Sequence, residues 1–81
     1  MQHQVQLFAA AKQWAGTAML ELELPASATV GELRQALIAR IPQIASFGQH
    51  LRLAINSQYA DDSMRLPENA EIACIPPVSG G

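Results

Sequence analysis

"TVGELRQALIARIP", Thr29 to Pro42, holds the start, the face and the end of one amphipathic helix. Thr29 followed by Glu32 is the pattern of a capping box, in which each side chain satisfies a backbone amide that the first helical turn leaves without a partner. Val30, Leu33, Leu37 and Ile41 then recur at the helical period and lay an apolar stripe along one side. Arg40 sits in the last turn, where a cation interacts favourably with the negative end of the helix dipole, and Pro42 cannot continue the hydrogen-bond ladder. A stripe of this kind has to be buried against something. The rest of the chain must supply a sheet.

Working outward toward the N-terminus, "MLELELP" alternates Leu20, Leu22 and Leu24 against Glu21 and Glu23, the period of a strand with one face in the core, and Pro25 ends it. "VQLFA" (Val5–Ala9) is rich in strand formers and reads as the first strand. "AAAKQWAG" between them offers helix formers that stop at Gly16, enough for a short helical connector. Beyond the main helix, an irregular stretch holds Ile44 and Phe47, and "LRLAI" again alternates, Leu51, Leu53 and Ile55 against Arg52 and Ala54. A turn at Asn56-Ser57 leads to a short strand at "QYA", further turns fall at Asp61-Asp62-Ser63 and Pro67-Glu68-Asn69, and "AEIACI" (Ala70–Ile75) is the last strand. Pro76-Pro77 closes it, because proline donates no ladder hydrogen bond. The order is strand, strand, helix, strand, short strand, strand. An α+β domain with one helix across one face of a mixed sheet is the compact solution.

At 81 residues the chain makes a single small domain: residues 1–75 form the body and residues 76–81 an extended C-terminal tail. Hydrophobic residues at 49% against 15% charged argue for a folded globule. A net charge of -2, with Lys12, Arg34, Arg40, Arg52 and Arg65 scattered along the chain, provides no basic face for nucleic acid. The start "MQHQ" is not followed by a secretory core or by a membrane-length apolar run, and the lone Cys74 has no internal disulfide partner. The expectation is a cytoplasmic protein in a reducing setting, without membrane contact.

Catalytic side chains are hard to assemble. His3, His50 and Cys74 lack the close pairing of a zinc site, so no bound metal or cofactor is expected. Cys74 lies inside an apolar strand and reads as a packed thiol, and Asp61-Asp62 beside Ser63 reads as a solvated turn. Trp14 and Tyr59 read as core aromatics, with Trp14 on its short connector also suited to a partner contact. No Ser-His-Asp set, Cys-His pair or phosphate-cradling glycine loop is present.

What remains is "PPVSGG". A terminal carboxyl is an anion at neutral pH and a poor electrophile, so chemistry at Gly81 needs outside activation, most simply as an acyl-adenylate formed with ATP. Pro76 and Pro77 favour an extended arm, Val78 and Ser79 continue it, and Gly80 and Gly81 fit a slot too narrow for a Cβ. The arm reaches roughly 20 Å when extended, enough to carry the terminus into a partner while the body stays outside.

The ending "IPPVSGG" resembles that of the ubiquitin-like β-grasp sulfur carriers of the type that serves as the small subunit of molybdopterin synthase. "LFAAAKQWAG", with Lys12 and Gly16, is similar to that family's first strand and connector, "TVGELRQAL" to its helix start, and "LRLAIN" to its third strand running into Asn56. The chain departs from the pattern at "PENAEIA", where Asn69-Ala70 replaces a usual Gly-Asp, and at Cys74-Ile75, where relatives often carry an aromatic. The resemblance implies a β-grasp fold and a cycle of three steps. An activating enzyme of the ubiquitin E1 type adenylates Gly81 with ATP, a sulfur donor acting through it makes the thiocarboxylate, and the charged carrier delivers sulfur to cyclic pyranopterin monophosphate on the large synthase subunit. It also implies that the catalytic side chains lie on the large subunit, that Ile75 belongs to the partner interface, and that the assembly is a heterotetramer. Relatives with the same tail include thiamine-type sulfur carriers and protein modifiers.

Overall fold

The computed structural model describes residues 1–77, so the expectations for Val78, Ser79, Gly80 and Gly81 lie outside the described residues. Along the chain run β1 (Gln2–Leu7), α1 (Ala9–Ala15), β2 (Met19–Glu23), α2 (Val30–Arg40), a 3-10 helix (Pro42–His50), β3 (Arg52–Ile55), β4 (Gln58–Tyr59) and β5 (Ile72–Ile75). The five strands form one mixed sheet in the order β2-β1-β5-β3-β4, with β1 and β5 parallel and the other pairs antiparallel. The two hairpins, β1–β2 and β3–β4, lie on either side of β5, which pairs in parallel with β1, and α2 covers one face. That is the β-grasp arrangement.

α2 is capped as its sequence requires. The Glu32 amide donates to Thr29 Oγ1 at 3.2 Å while the Thr29 amide donates back to the Glu32 carboxylate at 3.3 Å. Its stripe of Val30, Leu33 and Leu37 is fully buried and Ile41 nearly so, and burying each leucine contributes on the order of 1.5–3 kcal/mol. Facing them are Val5 and Leu7 of β1, Leu20 and Leu22 of β2, Leu53 and Ile55 of β3, and Ile72 and Cys74 of β5. Trimmed to one face by strand alternation, these side chains make a single core.

The structure corrects several sequence expectations, among them the start of the last strand, which is Ile72 and not Ala70. β1 runs from Gln2 to Leu7 rather than from Val5 to Ala9, because pairing with β2 from Gln2↔Glu23 onward recruits glutamines that have little strand preference of their own. Ala9 opens α1 instead, in the left-handed region at φ 51°. The stretch around Ile44 and Phe47 is a 3-10 helix, kinked at Gly48 (φ 55°), with Ile44 buried in the core. Trp14 and Tyr59 are exposed, at 41% and 64%, not core. Trp14 instead stacks on Phe47 with ring centroids 5.5 Å apart, tying α1 to the 3-10 helix.

Two long-range contacts hold the irregular second half. Arg34 reaches from α2 to grip both Asp62 carboxylate oxygens and to donate to the Leu51 carbonyl at 2.6 Å, while the Gly31 amide donates to the Asp62 carbonyl at 2.9 Å. At the β3–β4 turn Asn56 and Ser57 both take positive φ, at 52° and 70°. Asn56 also accepts the Glu71 amide on its side-chain oxygen at 2.9 Å and donates its own amide to the Glu71 carbonyl at 2.8 Å, which extends the β3–β5 pairing by one rung.

Candidate functional site

The sheet face turned away from α2 has no covering element among the described residues. Alternation along β5 sends Ile72 and Cys74 into the core and leaves Ala73 and Ile75 half-exposed on this outer face. Register then fixes their neighbours: Ala73 lies between Gln6 and Ala54, Ile75 lies opposite Arg52, and Ala54 lies opposite Tyr59. Phe8, 40% exposed, follows β1 directly, and its amide donates to the Cys74 carbonyl at 3.2 Å. Phe8, Ala54, Tyr59, Ala73 and Ile75 line a shallow concavity of about 330 Å³. Arg52 lies over the Tyr59 ring with its guanidinium carbon 4.8 Å from the centroid, which holds that exposed ring against the sheet.

Beside this apolar half lies a polar one. Gln2, Gln4 and Gln6 of β1, Glu21 of β2, and Asn69 and Glu71 before β5 line a broader trough of about 590 Å³. The two concavities share Gln6, Glu71 and Ile72, and the apolar side chains Phe8, Ala54, Ala73 and Ile75 lie toward the β5–β3 side. The chain leaves the sheet from the apolar half.

Of the residues expected to form the tail, Ile75 ends β5, Pro76 is fully buried and Pro77 is exposed. The buried Pro76 ring packs with the body. Both prolines come directly after the last strand, as the absence of a ladder donor requires. Ile75 is the expected interface residue; Phe8, Tyr59 and Arg52 lie on the same face, a neighbourhood the sequence reading did not identify. Their signal was present in the alternation of β3 and in the register that alternation imposes, but pairing partners are set by topology and not by local pattern.

The remaining candidates are placed as follows. Burial pushes the Cys74 thiol up to about 11, with the Arg34 charge offsetting part of the shift, so Cys74 is a packed thiol and not a nucleophile. Asp61 accepts from both the Ser63 amide and hydroxyl at 2.9 Å, and these bonds hold its carboxyl below the usual range. Asp62 is taken by Arg34. His3 is buried at the start of β1 while His50 is exposed at the end of the 3-10 helix. Among the described residues no three metal-ligating side chains converge.

This geometry offers a half-exposed apolar surface beside the end of β5. The ThiS family matches residues 5–81. A molybdopterin synthase sulfur carrier subunit from Arabidopsis thaliana is 34% identical over 77 residues, covering 95% of this chain and 80% of the relative. The crystal structure of SAMP1 from Haloferax volcanii, named elsewhere as a small archaeal modifier protein, superposes with a TM-score of 0.86 at 29% identity and full coverage of both chains. A complex of subunits 1 and 2 of the molybdopterin-converting factor from Helicobacter pylori contains a chain of the same fold, with a TM-score of 0.65 at 22% identity and full coverage of both. A strand order of β2-β1-β5-β3-β4, a capped helix over one face and a match that runs through the double-glycine ending agree: the chain belongs to the ThiS family.

Proposed function

We propose that the chain is the sulfur-carrier subunit of a molybdopterin synthase, with Gly81 as the residue that carries sulfur. The observation that supports it most is the position of the exit: β5, a central strand, delivers the chain past Pro77 from the rim of an exposed apolar face. From Pro77 to Gly81 an extended chain spans about 17 Å, which lets the body dock while the terminus reacts at a distance.

The chemistry follows from the state of a carboxylate. Its oxygen attacks the α-phosphorus of ATP on an activating enzyme of the ubiquitin type, and pyrophosphate leaves. A sulfur donor then attacks the acyl carbon, AMP departs with the bonding electrons, and a thiocarboxylate remains. On the large subunit that sulfur is transferred to cyclic pyranopterin monophosphate, and the carrier returns as a carboxylate once water replaces the sulfur. Gly80 and Gly81 present no Cβ to the slot, Val78 and Ser79 line the arm, and Ile75 anchors the docked body with Phe8 and Tyr59. The catalytic side chains sit on the large subunit, and two small chains on a dimer of large ones make a heterotetramer. ATP supply and the free Cys74 suit a cytoplasmic setting, and no helix among the described residues is long and apolar enough to cross a membrane.

The test is deletion of Gly80 and Gly81. The body from Met1 to Pro77 is untouched, so unfolding free energy stays within about 0.5 kcal/mol of the intact chain. Molybdopterin formation in a mixture with the large subunit is lost. Formation at the normal rate would defeat the proposal.

A further inference from the structure

The ladder between β3 and β5 carries opposite charges at its two ends. Its central outward pair is Ala54↔Ala73. Two residues toward the chain exit stand Arg52 and Ile75; two residues the other way stand Asn56 and Glu71, joined by the bond from the Asn56 amide to the Glu71 carbonyl. Strand alternation puts Arg52, Ala54, Glu71, Ala73 and Ile75 on the outer face, which no element covers among the described residues. At the usual rise per residue Arg52 and Glu71 each lie about 7 Å along the ladder from the central pair, on opposite sides.

Neither charge meets an opposite one among the described residues. The Arg52 guanidinium lies over the Tyr59 ring and makes no ion pair. The Glu71 carboxylate makes no ion pair and accepts no hydrogen bond; only its backbone amide and carbonyl are bonded, both to Asn56. An apolar floor of Ala54, Ala73 and Ile75 lies alongside, with exposed Tyr59 and Phe8 at its sides.

A cation at one end, an anion at the other and an apolar floor beside them make a self-complementary face. When a second copy is turned about a two-fold axis that lies between the two sheets and runs across the strands at Ala54↔Ala73, its Arg52 comes to the Glu71 end of the first copy and its Glu71 to the Arg52 end. Both ion pairs form at once, as an isologous interface requires. Stacked sheets keep their strands within about 30° of one another at a separation of about 10 Å, a gap that arginine and glutamate side chains bridge from either side. Tyr59 lies opposite Ala54 on β4 and so close to the same axis, which brings the two copies' rings together.

We propose that the outer face on the β5–β3–β4 side is a self-association surface, occupied in the isolated chain by a second copy and held by Arg52–Glu71 pairs in both directions. A patch of this size makes a weak dimer. One consequence rests on the sulfur-carrier reading: the second copy covers the face proposed for docking, so the idle carrier shields its apolar anchor until the large subunit takes that place. Measured on the chain alone, self-association stands or falls separately from that reading.

The experiment is sedimentation equilibrium of the full chain up to about 1 mM, where even weak association fills, with amide resonances followed on dilution. The expected result is a monomer–dimer equilibrium whose dilution shifts the resonances of Tyr59, Ala73 and Ile75. Both charged positions are exposed, so reversing them spares the core. Arg52→Glu and Glu71→Arg each set like charges against one another twice and weaken the dimer by about tenfold or more. Mixed in equal amounts the two variants pair with each other, because one carries two anions where the other carries two cations, and a chain with both reversals dimerises like the unaltered one. A monomer at every concentration, a dimer indifferent to either reversal, a mixture that does not pair, or dilution shifts confined to β2 or Trp14 overturns the proposal.

Discussion

Arg52 and Ile75 face one another across the β3–β5 ladder, and the Arg52 guanidinium reaches over the neighbouring Tyr59 ring at 4.8 Å. The pair sets an apolar anchor and an oriented aromatic side by side at the point where the chain leaves the sheet. Exposed aromatic and aliphatic groups of this kind supply most of the energy of an interface when a partner desolvates them. Ile75→Asp should therefore weaken binding to the large subunit by a few kcal/mol, read by titration calorimetry. Glu21→Gln, in the polar half of the same face, should leave affinity unchanged. Unchanged binding by Ile75→Asp would move the interface off this face.

The Arg34 clasp makes a prediction about stability. Its side chain is mostly buried and satisfies both the Leu51 carbonyl and the Asp62 carboxylate. Arg34→Ala should lower the unfolding free energy by about 1–3 kcal/mol, the cost of leaving partly buried acceptors without donors. Arg34→Lys should recover only part of it, because an ammonium cannot reproduce the forked contact. Urea titrations of the two variants provide the check.

Cys74 makes a prediction about pH. In the unfolded chain the thiol ionises near its ordinary value of about 8.5. In the folded chain it does so near 11, because burial disfavours the thiolate. The unfolded form thus loses its proton first, and this group's contribution to stability falls as pH rises through that window and is constant below it. Cys74→Val should flatten the fall between those limits. Iodoacetamide at neutral pH should label the native thiol only as fast as the protein opens.

Much of this was legible in the residues themselves. The Thr29–Glu32 box, the stripe from Val30 to Ile41 and the alternation from Leu20 to Leu24 each state a local preference that the fold obeys. Ile75 was singled out by its place just before the prolines, and the structure puts it half-exposed at the end of β5. The rest depends on partners distant in sequence. Arg34 and Asp62 are 28 residues apart, and no local pattern pairs them. Gln2 enters β1 because β2 lies beside it, and the 3-10 helix lacks a repeating apolar period long enough to announce itself. Trp14 and Tyr59 defied the usual preference of large aromatics for the core because their surroundings, Phe47 and Arg52, offer a stacking surface at the exterior.

The carrier role is tested most directly by the intact mass of the chain isolated from cells that contain the activating enzyme and an active sulfur donor. The account predicts a species heavier than the unmodified protein by the difference between one sulfur and one oxygen atom, with the added mass located at Gly81 by fragmentation. A population that stays wholly at the unmodified mass while the pathway is producing molybdopterin would contradict it.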